Sequence, residues 1–589
     1  MKSSWAWLFV AVLLGGCSSW NPMSVRSQSP DESASKAEPA RLVGDLAVPY
    51  GMFPLQVEAV GLVVGLQGTG SDPAPSPQRA ALLDEMQTRG VKNPNQVLAS
   101  TNSAMVMVRG VLRPGIQKGD HFDVEVRIES RSDTTSLRGG NLLETRLKQM
   151  AVLDNQFHEG HLLALAKGPV MVDPGAKGKD ARVVLGRGMV LGGGVAMKSR
   201  SLGLVLKPGH QNVTNSSRVA NAVNKRFHVF NKGVKAGVAN AKTDEFIELA
   251  VHPQYKTNTD RYVRVVRTVV LRESETERMQ RIVLLKQQLL DPATAAEAAL
   301  ELEGIGTAGV EPLLEALKTS NPELRFYAAE ALAYLDRREA AAPLGETVRQ
   351  QPAFRVFALT ALSVMNDYAA YEQLRDLLSA PSAETRYGAF RALWTMNPGD
   401  ALVLGEELGG QFSYHVLNTT GPAMIHVTSS RRPELVLFGQ HQRLLTPLAV
   451  NAGNRIMVTG NRPDEITISK FTPNQPDQKR TVSNDVNDVI RAVVELGGTY
   501  PDVVQALQEA KAAGTLESRF EVDALPEAGR SYDREPAEED NELAESESAS
   551  PKKGFFARML PPWGNKTTHD SDITEDEVEK ITSAGTDSE

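Results

Sequence analysis

The chain has 589 residues, of which 64 are Lys or Arg and 72 are Asp or Glu, so its formal net charge is −8. At roughly 100–200 residues per domain, this length predicts three or four structural units. Hydrophobic residues make up 41%, and 47 Gly and 33 Pro exclude a collagen-like or wholly disordered chain. The acidic balance argues against a protein that coats nucleic acid, and a single Cys excludes an intrachain disulfide or a multi-cysteine metal site.

Residues 1–16 have the features of a bacterial export signal. Lys2 precedes ten apolar residues, Trp5–Leu14, which are too few to cross a bilayer core that takes about 20. Leu14-Gly-Gly-Cys17 resembles a lipobox, which predicts that Cys17 is lipidated and anchors the mature chain to the outer membrane. An ordinary signal peptide with an incidental cysteine is the alternative. Residues 17–40 are rich in Ser, Pro and acidic side chains and are predicted to form a flexible tether.

Residues 41–273 are predicted to form a β-rich unit with interspersed helices. In His121–Ile128, apolar and polar residues alternate with the period of two that is typical of a half-buried strand. Strands are predicted at Ala104–Val108, His121–Ile128 and Arg261–Leu271. Helices are predicted at Arg79–Arg89, which Gly90 would end, and at Ser216–Arg226.

Residues 276–400 differ in character, because Ala, Leu and Glu dominate and the sequence repeats on itself. Equivalent leucines recur every 30 or 31 residues, at Leu302, Leu332, Leu362 and Leu393. The sequence Arg-Phe-Tyr-Ala-Ala-Glu-Ala-Leu at 325–332 has related copies at 355–362 and 386–393. Units of two short helices cannot bury their apolar faces alone and must stack on their neighbours. The segment resembles short HEAT-like repeats and predicts an all-α solenoid.

Residues 401–522 return to mixed structure, and residues 523–589 form an acidic tail. Strands are predicted at Met424–Thr428, Glu434–Phe438 and Asn454–Thr459, followed by a helical region over Asp485–Ala513. The tail contains 18 acidic and 7 basic residues and is predicted to be disordered. Its basic and aromatic stretch, Lys552–Leu560 with Trp563, could bind a partner or a membrane surface, or be an inert part of the tail.

The sequence contains no motif that supports catalysis or a cofactor. Gly65–Gly70 and Gly186–Gly194 match neither a Walker loop nor a dinucleotide fingerprint, and tight turns explain them better. His158 and His161 are one residue too close for the zinc-hydrolase spacing, and no third-ligand motif accompanies them. No Gly-x-Ser-x-Gly sequence is present. We therefore expect no metal, no cofactor and no enzymatic activity.

Three arginines recur at equivalent positions of the repeats, at Arg325, Arg355 and Arg386. They could form a basic ridge that contacts an acidic partner. Alternatively, they could be structural and pair across neighbouring repeat units, as arginines of HEAT-like repeats more often do.

Val60–Asp72 reads Val-Gly-Leu-Val-Val-Gly-Leu-Gln-Gly-Thr-Gly-Ser-Asp. This motif of the β-rich unit closely resembles the opening signature of the P-ring proteins of the bacterial flagellar basal body, and further motifs follow in the family's order. The others are Asn102–Val108, Leu112–Val124, Ser136–Leu143, Leu206–His210 and Val219–Asn224. Val489–Gly498 and Pro501–Leu516 resemble the family's C-terminal helices, so residues 401–522 are predicted to be the C-terminal portion of the same unit.

This resemblance implies an α+β fold in which a P-ring-like unit is interrupted by the helical repeats at 276–400. It implies a structural subunit of a homo-oligomeric ring around the flagellar rod in the periplasm, without catalytic residues. Outer-membrane L-ring proteins and peptidoglycan are further expected neighbours, and the repeats would bind a partner. The alternative keeps the fold but makes the chain a non-flagellar outer-membrane lipoprotein scaffold that binds envelope proteins through the repeats.

Overall fold

The computed structural model describes residues 41–153, 156–173, 181–472 and 475–534. The signal peptide, Cys17 and the tether lie outside the described residues, as does the tail from residue 535 onward with Lys552–Leu560 and Trp563. The described chain combines helices with β-sheets, which confirms the predicted α+β class.

The first part of the chain, up to residue 273, is rich in strands. Its elements begin with α1 (Val43–Leu46), β1 (Ala47–Tyr50), β2 (Leu55–Val64), α2 (Pro77–Thr88), α3 (Pro94–Leu98), β3 (Ser103–Leu112), β4 (His121–Ile128), β5 (Asn141–Leu153) and β6 (Gln156–Pro169). They continue with α4 (Ala181–Leu185), β7 (Arg187–Ala196), β8 (Leu202–Leu206), α5 (Val213–Arg226), β9 (His228–Asn231), β10 (Val234–Gly237), β11 (Ala239–Ala241), β12 (Phe246–Leu249) and α6 (Thr259–Arg267).

Six antiparallel strands close into a barrel in the order β2-β3-β4-β7-β6-β5. Phe122, Val124 and Val126 of β4 are buried and alternate with more exposed residues, as the period of two predicts. A second sheet has the order β1-β8-β12-β11 and shares a core with α5 and α6, while β9 and β10 pair as a hairpin. The strands predicted at 104–108 and 121–128 are confirmed as parts of β3 and β4.

The two helices predicted in this part are also confirmed. Ser76 begins α2, because its side chain accepts a hydrogen bond from the backbone N–H of Arg79 at 3.1 Å. Gly90 follows the helix with a φ of 71°, a conformation that favours glycine. In the same way Asn212 caps α5 through the backbone N–H of Asn215, so this helix starts three residues before the predicted one.

The strand predicted over Arg261–Leu271 is wrong, because most of this segment forms helix α6. Asn258 caps the helix by accepting a hydrogen bond from the backbone N–H of Arg261. Tyr262, Val265 and Val266 are buried on one face at helical spacing. The β-branched residues favour a strand locally, but burial of this face against the sheet and the following helices outweighs that weak preference.

The middle of the chain is a stack of short helices, which we call the helical block. Its elements are α7 (Glu275–Gln288), α8 (Ala295–Ile305), α9 (Val310–Ala316), α10 (Pro322–Tyr334), α11 (Ala341–Gln350), α12 (Arg355–Val364), α13 (Tyr368–Leu377) and α14 (Ala383–Met396). Helices α8, α10, α12 and α14 pack in succession, and α11 and α13 form a second layer against them. Two stacked layers are the arrangement that the sequence repeat predicts, whereas membership of the HEAT class stays a prediction.

The last part of the chain carries two sheets and two helices. Its elements are β13 (Glu406–Leu408), β14 (Phe412–Leu417), β15 (Met424–Val427), β16 (Glu434–Phe438), β17 (Leu448–Ala452), β18 (Ile456–Arg462), β19 (Glu465–Lys470), β20 (Gln478–Ser483), α15 (Val486–Glu495), α16 (Tyr500–Ala512) and β21 (Arg519–Val522). One sheet has the order β13-β14-β16-β15-β21, and the other is the meander β17-β18-β19-β20. The three predicted strands are confirmed as β15, β16 and β18, and the predicted helical region is divided in two.

The helical block has no core of its own. Its buried residues belong to one continuous apolar cluster that includes Leu204 of the second sheet and Phe438 of β16. The barrel interior forms a separate cluster. Met171, which follows the barrel strand β6, packs instead in the cluster of the C-terminal sheets. The block is therefore held on both sides by the β-rich parts that precede and follow it, and those two parts also meet each other.

Candidate functional site

The glycine-rich signature at residues 60–72 closes one end of the barrel. Gly65 has a φ of 86°, and a Cβ on Gly70 would lie 2.1 Å from the carbonyl oxygen of Ser103. The Thr69 hydroxyl donates to the carbonyl of Ser136 at 2.8 Å, so this loop is tied to the segments that carry two other motifs of the P-ring resemblance. The glycines serve turns and close backbone packing, as the sequence predicts.

The histidine pair singled out in the sequence is not part of a described metal site. His161 is exposed on β6, and the side chain of His158 lies outside the described residues. Where side chains are described, no group of three or more His, Cys, Asp or Glu could hold an ion. None of the helices in the described segments has the length and apolar character that crossing a bilayer requires. The polar residues with the most developed surroundings lie instead where the helical block meets its neighbours.

The first junction joins α6 to the helical block through a buried ion cluster. Arg261 donates to Glu303 on α8 through Nη2 at 2.5 Å and Nε at 3.1 Å. Its Nη1 lies 2.6 Å from a carboxylate oxygen of Glu330 on α10. The Tyr255 hydroxyl also donates to Glu303 at 2.6 Å, and the Arg261 guanidinium lies over the ring of Tyr334. One arginine thus links three elements and serves two carboxylates.

Burial governs the electrostatics of this junction, because Glu303 is fully buried and Arg261 is 7% exposed. Desolvation raises the pKa of the Glu303 carboxyl, although Arg261 and the Tyr255 hydroxyl oppose the shift. Burial by itself would lower the pKa of Arg261, but Glu303 and Glu330 raise it above its ordinary value. Arg261 therefore stays charged, and the carboxylates depend on it.

The second junction joins α14 to the C-terminal sheet around the buried carboxylate of Glu434. The Tyr387 hydroxyl and Nη1 of Arg391 each donate to Glu434 at 2.8 Å. His426 on β15 stacks on the Tyr387 ring with 3.5 Å between ring centroids. Its Nε2 accepts the backbone N–H of Ala524 at 3.0 Å, whereas Nδ1 has no partner among the described residues.

Burial lowers the pKa of two histidines at this junction. Desolvation lowers the pKa of His426 to about 3. Desolvation also lowers the pKa of His415, whose Nδ1 bonds the carbonyl of Val403 at 2.9 Å. His426 is therefore neutral at pH 7, and both rings act as packed hydrogen-bonding groups.

A third contact joins the barrel directly to the C-terminal part. Asp123 of β4 accepts hydrogen bonds from the backbone N–H groups of Gly192 and Arg431. Desolvation raises the pKa of the Asp123 carboxyl, although both N–H groups oppose the shift. Asp123 and Arg431 are 308 residues apart in the chain, so this contact joins the segments that precede and follow the helical block. This closure is compatible with an insertion whose two ends lie close together.

The repeat arginines do not form an exposed ridge, so the prediction of surface contacts is wrong for Arg355 and Arg386. Arg355 is 5% exposed and links the carbonyl of Val348 to Glu384 of the next unit. Arg386 is 2% exposed, and its guanidinium donates to the carbonyls of Leu378 and Pro422. Arg325 forms a 3.4 Å ion pair with Glu346. Arg325 and Arg355 therefore bridge repeat units, which fits the structural alternative.

Arg386 differs from the other two because it faces the C-terminal part. Its guanidinium lies over the Phe438 ring at 4.8 Å from the centroid. Burial, together with the nearby Arg519 guanidinium, lowers the pKa of Arg386 to about 10. The Arg386 guanidinium contacts two carbonyls, the Thr419 hydroxyl and the Phe438 ring. It remains a cation at neutral pH and holds α14 against the sheet.

The start of the tail is ordered, so the predicted disorder from residue 523 is wrong for Asp523–Arg534, which we call the strap. After β21 pairs with β15, Asp523 accepts the backbone N–H of Ser429 at 2.8 Å. The strap then crosses the helical block and ends where Arg534 contacts Glu323 on α10. Its composition is polar and carries no periodicity, so only the surface of the folded block could have indicated its position.

The comparisons with known proteins concern the first part of the chain. Residues 43–288, from α1 to the end of α7, match the family model for the flagellar P-ring protein. A flagellar P-ring protein of Methylobacillus flagellatus is 33% identical over 202 residues, which cover 32% of this chain and 52% of that protein. One from Geotalea uraniireducens is 31% identical over 255 residues, covering 41% of this chain and 63% of that protein.

A flagellar P-ring protein of Helicobacter acinonychis is 28% identical over 195 residues, or 53% of its length. The chain thus spans between about half and two thirds of the length of these relatives. The matched region contains the barrel, the second sheet, the signature at residues 60–72 and Arg261 of the first junction. Residues 43–288 of this chain are therefore similar to flagellar P-ring proteins in sequence.

Proposed function

We propose that the chain is a structural subunit of a flagellar basal-body, P-ring-like assembly that surrounds the rod in the periplasm. The observation that carries this proposal is the family match over residues 43–288, three of whose motifs meet at one end of the closed barrel. The subunit forms a homo-oligomeric ring through contacts that repeat by rotation and close. It carries out no reaction and takes no cofactor, and its neighbours are the rod, the L-ring and peptidoglycan.

Rigidity is the mechanical requirement of a ring that encloses a rotating rod. Two buried ionic junctions and the contact at Asp123 restrain the barrel, the helical block and the C-terminal sheets against one another. Charged groups buried with paired partners accept few alternative arrangements, because any displacement leaves a charge without its partner. A subunit held in this way transmits load without internal hinge motion.

Lipidation of Cys17 would anchor each subunit to the outer membrane, and the tether would set the distance between the anchor and the barrel. Cys17→Ala tests this part of the proposal. We expect the variant to move from the outer-membrane fraction to the soluble periplasmic fraction, while a Ser18→Ala control stays in the membrane fraction. Equal membrane recovery of both variants would contradict lipid anchoring.

The assembly itself is tested by immunogold labelling of detergent-purified basal bodies with an antibody to residues 276–400. We expect gold around the rod near the outer membrane, with a strain lacking the gene as the control. Unlabelled basal bodies, with the protein present in the envelope fraction, would contradict the flagellar role. The scaffold alternative would then be favoured, because the helical block, which lies largely outside the family match, would remain its main surface.

The helical block is proposed to bind a further envelope protein. A chain without residues 289–396 would leave Arg261 without its carboxylate partners, so deletion of the block would confound binding with folding. Surface substitutions that leave both junctions intact are the appropriate test.

A further inference from the structure

The strap contacts three successive repeat units of the helical block through charged and aromatic side chains. Arg530 pairs with Glu384 of α14, and the Tyr532 ring lies 4.8 Å from that of Phe354, at the start of α12. Arg534 pairs with Glu323 of α10 through two hydrogen bonds, of 2.8 Å and 2.9 Å. The contacting strap residues are therefore at positions i, i+2 and i+4.

We call the residues under the strap the strap surface, which consists of Glu323, Phe354, Glu384 and Gly388. These residues follow the spacing of the repeat units. Glu323 and Glu384 are each the second residue of a helix, and each lies two residues before a repeat arginine. Side chains at i, i+2 and i+4 of an extended segment point to the same side. An extended segment can thus place alternate side chains on consecutive units.

Gly388 provides close approach at one end of this surface. A Cβ there would lie 2.5 Å from Leu359 Cδ1 and 3.3 Å from the ring of Pro526 in the strap. Glycine inside a helix is otherwise unfavourable relative to alanine. Its presence in α14 is explained by the packing of α12 on one side and of the strap on the other.

Glu323 is the carboxylate of this surface that Arg534 pairs with. The residue is 3% exposed, and Arg534 is the cation paired with it among the described residues. The Tyr327 hydroxyl donates a further hydrogen bond to it at 3.1 Å. Arg534 itself covers Glu323, so departure of the strap would uncover a carboxylate that another basic side chain can bind in the place of Arg534.

We propose that the strap surface is a peptide-binding site for an extended segment of the pattern basic–X–aromatic–X–basic in a separate partner protein. The strap, with Arg530, Tyr532 and Arg534, occupies this site in cis as a built-in competitor. This inference rests on the proposed role of the helical block in partner binding and specifies the chemistry of that partner. Arginine recognises a carboxylate in the two-pronged geometry that Arg534 adopts, which gives the site its specificity.

The test uses the full chain with a specific protease site inserted after Ala528, so that the strap is cut only after folding. The probe is a fluorescently labelled peptide with the sequence of Ala528–Glu535, and binding is followed by fluorescence anisotropy. We expect no binding before cutting, because the tethered strap is present at an effective concentration in the millimolar range. After the cut fragment is removed, we expect saturable binding.

Substitutions in the chain and in the probe peptide identify the site. Glu323→Gln and Glu384→Gln in the cut chain should each weaken binding about 10- to 100-fold, because each loses a charge-assisted pair. Glu311→Gln, at an exposed acidic residue of α9 away from the strap surface, is the matched control and should leave binding unchanged. A probe peptide with serine in place of both arginines should bind the cut chain as weakly as the original probe binds the Glu323→Gln and Glu384→Gln variants.

The outcomes separate this inference from the flagellar assignment, because the assay does not involve basal bodies. Absence of probe binding to a cut chain that retains its circular dichroism and melting temperature would overturn the proposal. So would equal affinity of Glu323→Gln, or equal binding of a peptide with the sequence of Lys552–Leu560. Formation of dimers after mixing cut and uncut chains would assign the site to a second copy's strap and would also overturn it.

Discussion

The buried cluster at the first junction leads to a quantitative prediction for Arg261→Met. Methionine keeps much of the apolar stem of arginine but removes the charge that serves both Glu303 and Glu330. The side chains of these two carboxylates are 0% and 9% exposed, so water cannot replace the guanidinium. Removing one partner of a buried pair costs about 3–5 kcal/mol, and we expect a loss in this range.

Two further variants make the prediction specific. Glu303→Gln should cost less, about 1–2 kcal/mol, because Arg261 keeps Glu330 and the amide oxygen still accepts the Tyr255 hydroxyl. Arg278→Met is the matched control, since Arg278 pairs with an exposed glutamate one turn away in α7. That change should alter stability by less than about 1 kcal/mol.

Hydrogen–deuterium exchange of peptides from α6, α8 and α10 is the appropriate assay, because a chain with several coupled units does not unfold in two states. A loss of 3–5 kcal/mol would speed exchange of these peptides roughly 100- to 5000-fold, at tenfold for each 1.4 kcal/mol. A change for Arg261→Met no larger than that for Arg278→Met would refute the reasoning.

The pH dependence of the same variant provides a second check. Burial already raises the pKa of Glu303 above its unfolded value, and loss of Arg261 removes an opposing charge. A carboxyl with a raised folded-state pKa favours folding at low pH and loses that contribution as pH rises through the folded value. The exchange difference between Arg261→Met and the unchanged chain should therefore be larger at pH 8 than at pH 5.

Three other changes have defined outcomes. The pKa of His426 is lowered from 6.5 to about 3, so its contribution to stability is complete above pH 6.5 and falls as pH decreases. His426→Gln, which keeps an acceptor for Ala524, should remove about 2 kcal/mol of the stability loss between pH 7 and pH 5, measured by hydrogen–deuterium exchange of peptides from β15. Gly70→Ala should lower stability by about 3 kcal/mol, because the added Cβ meets the backbone oxygen of Ser103. Gly209→Ala, with open space around it, should cost about 1 kcal/mol. Equal melting temperatures of the two variants would contradict this prediction. Ser274→Ala removes the capping box of α7 and should cost about 1 kcal/mol, seen as faster exchange in the first turn alone.

The local elements of this protein were largely predictable from its sequence. Alternation identified β4, Gly90 marked the end of α2, and the recurring leucines predicted a stack of paired helices. Each of these signals depends on a few neighbouring residues, or on one repeat, and is recognisable without the tertiary structure. The segment of α6 shows the limit, because its valines favour a strand locally and its helical spacing becomes decisive only when one face is buried.

The junctions and the strap depend on the tertiary structure alone. Arg261 meets Glu303 across 42 residues, and Arg534 meets Glu323 across 211 residues, in a chain with 136 charged side chains that could pair in many ways. Nothing in the local sequence distinguishes these partners, because a buried pair is selected by desolvation and geometry once the helices have stacked. The sequence by itself indicated most of the strands and helices and the similarity of residues 43–288 to flagellar P-ring proteins. Only the packed structure decided that two repeat arginines are internal and that a polar stretch of the tail occupies the surface of the helical block.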